Sequence, residues 1–118
     1  MHLDIDVTEH GGYTVLSPQG EIDFATGPAL KEAITDALVA GKTHLVLDLL
    51  AVEFIESTGL GALIGGRRRA RALDGSLSLV CAHGPVLKVF QVTGLDKVFE
   101  IYPSVAAATE KPLPDSAG

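Results

Sequence analysis

Residues Asp48 to Gly75 read DLLAVEFIESTGLGALIGGRRRARALDG. An apolar run ends at an acid, Glu56, and two hydroxyls follow, Ser57 and Thr58. Glycines then alternate with apolar residues until an arginine-rich end. This change of pattern predicts a strand handing over to a helix. The helix is expected over Ser57–Leu73, with Leu60, Leu63, Ile64, Ala70 and Leu73 against a sheet and Asp74-Gly75 as its stop.

Upstream, THLVLDLLAV is short and strongly apolar, so Thr43–Leu49 reads as a buried strand. Before it, Pro28 opens a helix whose Leu30, Ala33, Ile34, Ala37 and Leu38 share a face, and Gly41 ends it. Residues 3–9 and 13–18 alternate around Gly11-Gly12, the pattern of a hairpin. Downstream, SLSLVCA predicts a strand and GPVLKVFQVTG a helix. KVFEIY predicts an edge strand and PSVAAATE a last helix. The order β-β-α-β-α-β-α-β-α implies an α/β domain over residues 1–110. Its sheet is expected to be mixed, mostly parallel and of four to five strands, packed with about four helices. The stretch from 111 to 118 has two prolines and little to bury, so a disordered tail is expected.

Fifteen acids against nine bases give a formal net charge of −6. A nucleic-acid binder needs a basic face to displace counterions, so direct nucleic-acid binding is not expected. The single cysteine, Cys81, excludes an internal disulfide and suits a reducing compartment. The N-terminal MHLDIDVTEHGG lacks the basic end and apolar centre of a secretion signal. No apolar run approaches the ~18 residues of a membrane span. A cytoplasmic protein without membrane contact is expected.

The glycines do not make a nucleotide site. Gly61 to Gly66 has the spacing of a phosphate-binding loop, but Arg67-Arg68 stand where that loop needs Lys and Ser or Thr. Position 64 is Ile, so GxGxxG is incomplete as well. Small residues that let a helix lie close to a sheet are the simpler reading. Nucleophilic catalysis needs a base beside Ser57, yet His2, His10, His44 and His83 form no recognisable pair with it, and GxSxG is absent. The same residues offer no metal-ligand spacing, and no cofactor is implied. Arg67, Arg68, Arg69 and Arg71 spread around the helix axis and complement its dipole end. Ser57 itself reads either as an N-cap, though Leu60 leaves the capping box incomplete, or as a phosphoacceptor. A phosphate there would meet free amides and the positive helix end, while adding about −2 charge beside Glu56 and Asp48.

GEID (Gly20–Asp23), the stretch His44–Ala82 and VLKVFQVTGLDKVFEIYPSVAAA (Val86–Ala108) resemble an anti-sigma factor antagonist, a small STAS domain of the SpoIIAA, RsbV and BldG type. The likeness spans roughly residues 3–108 and is carried by the acid-Ser-Thr-Gly-Leu-Gly motif in register with GEID. It implies a partner-switching regulator of transcription, for example in a stress response, and not an enzyme. The unphosphorylated form would bind an anti-sigma factor that is also a serine kinase, releasing a sigma factor. Phosphorylation at Ser57 would end binding, and a serine phosphatase would reset it. The resemblance places partner contacts at Glu21, Asp23, Glu56, Thr58, Gly59 and Leu60, and leaves room for a weak homodimer. The alternative it raises is a STAS scaffold or sensor in a larger signalling or transport assembly. Two departures stand out. Glu56 replaces the family's usual Asp, which bears on the efficiency of phosphorylation more than on its location. Gly27 stands where many relatives have Ala, with a small loss of helix stability expected.

Overall fold

The computed structural model describes residues 3–113, so His2 and residues 114–118 of the tail expected over 111–118 lie outside the described residues. The chain opens with β1 (Asp4–His10) and β2 (Tyr13–Ile22), paired antiparallel. His10 opposes Tyr13, leaving Gly11-Gly12 as a two-residue turn with φ of +59° and +91°. Such a turn requires left-handed backbone at both positions, which glycine adopts without a side-chain clash. Helix α1 (Gly27–Val39) follows, with proline in its first turn. Then come β3 (His44–Asp48), β4 (Val52–Ile55), α2 (Ser57–Ala72), β5 (Ser76–Val80) and α3 (Pro85–Thr93). A 3-10 turn at Leu95–Lys97, β6 (Ile101–Tyr102) and α4 (Val105–Thr109) complete it. The Ser104 hydroxyl caps α4 by accepting from the Ala107 amide at 3.1 Å.

The main sheet order is β1-β2-β3-β5-β6, parallel from β2 onward. β3 is buried on both faces, which is why its sequence is an unbroken apolar run. Leu45 and Leu47 join Leu16, Leu30, Ile34, Leu63 and Phe90 in the main core under α1, α2 and α3. Val46 points the other way, with Tyr13, Val15, Val80 and Ala108, under α4. The Tyr13 hydroxyl donates to the Lys111 carbonyl at 2.8 Å, and Leu113 packs against this second cluster. Residues 111–113 thus run along the sheet.

The mixed, mostly parallel sheet and its four helices agree with the sequence reading, with one strand more. The addition is β4, paired parallel with the end of β2. Its four residues run buried, exposed, exposed, buried, a sequence too short to display alternation. This pairing also carries β2 past residue 18 to Ile22, across an irregularity between Gly20 and Glu21. A second correction concerns α2. Leu73 is exposed, while Leu60 and Ile64 are half-buried and pack against the core as expected, beside the innermost stripe Gly59, Ala62, Leu63, Gly66 and Ala70.

Candidate functional site

The ladder between β2 and β4 brings the two sequence motifs side by side. Glu21 opposes Phe54 and Ile22 opposes Ile55. Both chains then leave the sheet at the same end, one into the turn Asp23–Thr26 and the other into α2. The Glu56 amide donates to the Ile22 carbonyl at 3.1 Å, so pairing persists up to the residue before Ser57.

The first turn is held by its own polar groups. Asp23 Oδ1 accepts from the Ala25 amide at 2.9 Å and the Thr26 amide at 3.0 Å. The buried Thr26 hydroxyl donates to the Glu21 carbonyl and accepts from the Asp23 amide, each at 2.9 Å. The amide of Thr26, with that of Ala25, holds the Asp23 carboxyl below its ordinary value of 3.8, against a smaller opposing effect of desolvation. The turn is tied to α2 as well. Glu56 Oε1 accepts from the Phe24 amide at 2.9 Å.

Ser57 is the first residue of α2, and it is exposed. The capping reading of this residue is therefore corrected. Glu56 occupies the N-cap in extended conformation, its carboxylate turned to Phe24, and no side chain caps the helix. The first helical bond runs from the Leu60 amide to the Glu56 carbonyl. The amides before it are the unpaired donors of a helix start. Among the described residues the Ser57 hydroxyl has no hydrogen-bond partner.

The remaining candidates divide by depth. Glu21 and Thr58 are exposed, Asp23, Glu56 and Leu60 half-buried, and Gly59 buried. A Cβ on Gly59 would lie 2.5 Å from Ile22 Cγ2 and 2.9 Å from Ile55 Cγ1, so this glycine lets α2 start directly on the ends of both strands. Gly27 has a comparable role. Its Cβ would lie 2.5 Å from Thr58 Cγ2, so α1 and α2 begin in contact, and close approach rather than helix propensity is what the position demands. Asp48 is occupied elsewhere, accepting from the Ser17 hydroxyl at 3.2 Å and the Leu50 amide at 3.1 Å.

Two residues at this edge went unnoticed in the sequence. Phe24 is 77% exposed and Phe54 45% exposed. An aromatic between Asp23 and Thr26, in a turn with no other large apolar residue, was the available signal for Phe24. The histidine and arginine candidates lie elsewhere. His44 Nδ1 is 3.1 Å from Ser76 Oγ, and Arg69 Nη1 donates to Thr35 Oγ1 at 3.1 Å. Among the described residues no cluster of His, Cys, Asp or Glu could hold a metal ion, and no helix is long and apolar enough to cross a membrane.

The family model described as STAS domain matches residues 4–108. The anti-sigma-F factor antagonist RsfB of Mycobacterium tuberculosis is 38% identical over 102 residues, covering 85% of this chain and 81% of that protein. An anti-sigma-B factor antagonist of Listeria monocytogenes is 31% identical over 102 residues, covering 86% and 90%. The crystal structure of an anti-sigma factor antagonist from Mycobacterium paratuberculosis superposes with a TM-score of 0.84 at 34% identity, over 93% of this chain and 96% of that one.

Proposed function

The chain belongs to the STAS domain family, and from that premise we propose that it is an anti-sigma factor antagonist switched by phosphorylation of Ser57. The unphosphorylated protein binds an anti-sigma factor that is also a serine kinase, and a sigma factor is released. The kinase transfers a phosphoryl group to the Ser57 hydroxyl, the complex separates, and a serine phosphatase removes the group. The contacts in this reading are Glu21, Asp23, Glu56, Thr58 and Leu60, with Gly59 shaping the surface from beneath. The protein acts in the cytoplasm, touches no nucleic acid, and contributes no catalysis of its own.

The observation that carries this reading is an exposed serine, its hydroxyl without a hydrogen-bond partner among the described residues, at the start of a sixteen-residue helix and beside an ordered acidic turn. A phosphate placed there is near the open amides and the positive end of the helix dipole, so the domain itself tolerates the charge. Chemistry on this serine has to come from outside, because among the described residues no histidine is hydrogen-bonded to it.

The test is incubation with the cognate kinase and ATP. One phosphate is expected on the wild type and none on Ser57→Ala. Ser57→Ala should keep partner binding and Ser57→Asp should lose it. Modification of Thr58 or Ser17 in place of Ser57 would refute the site, and equal capture of both variants would refute the switch.

A further inference from the structure

The short β6 leaves a notch in the sheet. It has two residues and pairs only with Leu79 and Val80 of β5. On its other side β5 bonds to β3 through Ser76, Ser78 and Val80. The Ser76 amide donates to the Thr43 carbonyl at 2.9 Å, and the Leu49 amide donates to the Val80 carbonyl at 2.8 Å. Leu77 and Leu79 therefore turn their backbone groups the opposite way. The Leu79 amide reaches the Glu100 carbonyl at 2.9 Å. The Leu77 amide, one step earlier, has no strand beside it among the described residues, although Leu77 is only 4% exposed. A buried amide left without a partner is costly, so this one is a donor in want of an acceptor.

The notch opens into a cavity of about 390 Å³ that crosses the sheet edge. Arg67 and Arg71, one turn apart on α2, wall it on the main-core side. Ser78 lies in register with Val46, so it faces the second cluster, where Lys111 and Leu113 complete the lining. Among the described residues Arg67, Arg71 and Lys111 make no ion pair, and the Ser78 hydroxyl makes no hydrogen bond. These three cations share the cavity with two carboxylates, Asp74 and Glu100, and the Tyr102 hydroxyl already donates to Glu100 at 2.6 Å. In a chain of net charge −6 this is a local reversal of sign.

We propose that this cavity binds a small organic anion, its carboxylate or phosphate head in the notch against the Leu77 amide, Ser78 and the two arginines, and its apolar body along Tyr102 and Leu113. The volume falls within the ~300–1,000 Å³ of small-molecule sites. Guanidinium forks match carboxylate and phosphate oxygens, and a charge-assisted hydrogen bond is stronger where water is partly excluded. Donors on both sides of the sheet edge grip the head across it. The site is near the far end of α2 from Ser57. Arg67 is ten positions on, ~15 Å along the axis. Neither the serine nor its acidic turn enters this cavity, so the site owes nothing to the phosphorylation switch.

The experiment is an NMR titration of the isotope-labelled full chain with phenyl phosphate, benzoate, inorganic phosphate and benzyl alcohol. The first two carry the two head groups on one body, the third lacks the body and the fourth lacks the charge. Saturable shifts centred on the Leu77 and Ser78 amides are expected with an organic anion, and the tighter of the two names the head group. Inorganic phosphate and benzyl alcohol should each bind about tenfold more weakly. Arg67 is half-buried and Arg71 exposed. Arg67→Gln combined with Arg71→Gln should keep the circular dichroism spectrum and weaken the organic anion about tenfold. No saturation by either organic anion, or shifts centred elsewhere, overturns the site. Inorganic phosphate as tight as phenyl phosphate means an adventitious ion only, and benzyl alcohol as tight means an apolar crevice only. Either result overturns the assignment, as does unchanged affinity in the double variant.

Discussion

Replacing Gly59 and Gly61, each by alanine, should move stability in opposite directions. Both residues lie within α2, so the helix gains about 0.5–1 kcal/mol from either change. At Gly61 nothing lies within 4 Å of the added Cβ, and the full gain stands. At Gly59 the new carbon lies 2.5 Å from Ile22 Cγ2 and 2.9 Å from Ile55 Cγ1, well inside contact distance. Those side chains are 0% and 3% exposed, and β-branching leaves them few rotamers to escape into. Forcing a methyl into a packed core costs about 1–3 kcal/mol. Set against the helix gain, Gly59→Ala should lose about 0.5–2 kcal/mol net. Urea unfolding followed by circular dichroism reads both, with a slope of about 1–3 kcal/mol per molar. The midpoint should rise by a few tenths of a molar for Gly61→Ala and fall for Gly59→Ala, at unchanged slope. Midpoints that move the same way, or a Gly59→Ala protein as stable as wild type, would refute the claim that this glycine exists for close packing on the ends of β2 and β4.

Gly27→Ala should cost about 1 kcal/mol in a thermal melt, and Thr58→Ser, which removes the methyl 2.5 Å from the new Cβ, should relieve most of it. A coupling below ~0.5 kcal/mol in the double-mutant cycle would show that the helix starts are not in contact as described. The Asp23 carboxyl, held low first by the Thr26 amide, should titrate by NMR below 3.8. Its folded value lies under its unfolded one, so its stabilisation is complete above the unfolded value and is lost as pH falls through the folded value. Asp23→Asn should therefore flatten the acid limb of the stability profile. Burial pushes the Cys81 thiol above its ordinary 9.0, so a thiol reagent at about pH 8 should label it slowly in the native protein and quickly in urea.

What the amino-acid sequence determined by itself was whatever local pattern can carry. The unbroken apolar run of β3 announces a strand buried on both faces. Gly11-Gly12 announces a hairpin, and the stripe Leu30, Ile34, Leu38 announces a helix on a sheet. The resemblance carried by GEID and ESTGLG pointed to Ser57 and to the acids at 21, 23 and 56. Tertiary structure decided what depends on residues far apart in the chain. β4 exists only because β2 lies beside it, since four residues with two outward side chains have no period of their own. Ser57 has the capping residue type but not the capping position, because the ladder runs up to Glu56 and makes that residue the last one before the helix. Phe24 and Glu56 are separated by thirty-two positions, and no spacing rule connects them. Their hydrogen bond forms because two parallel strands end at one edge of the sheet, which is a property of the assembled fold and not of either segment.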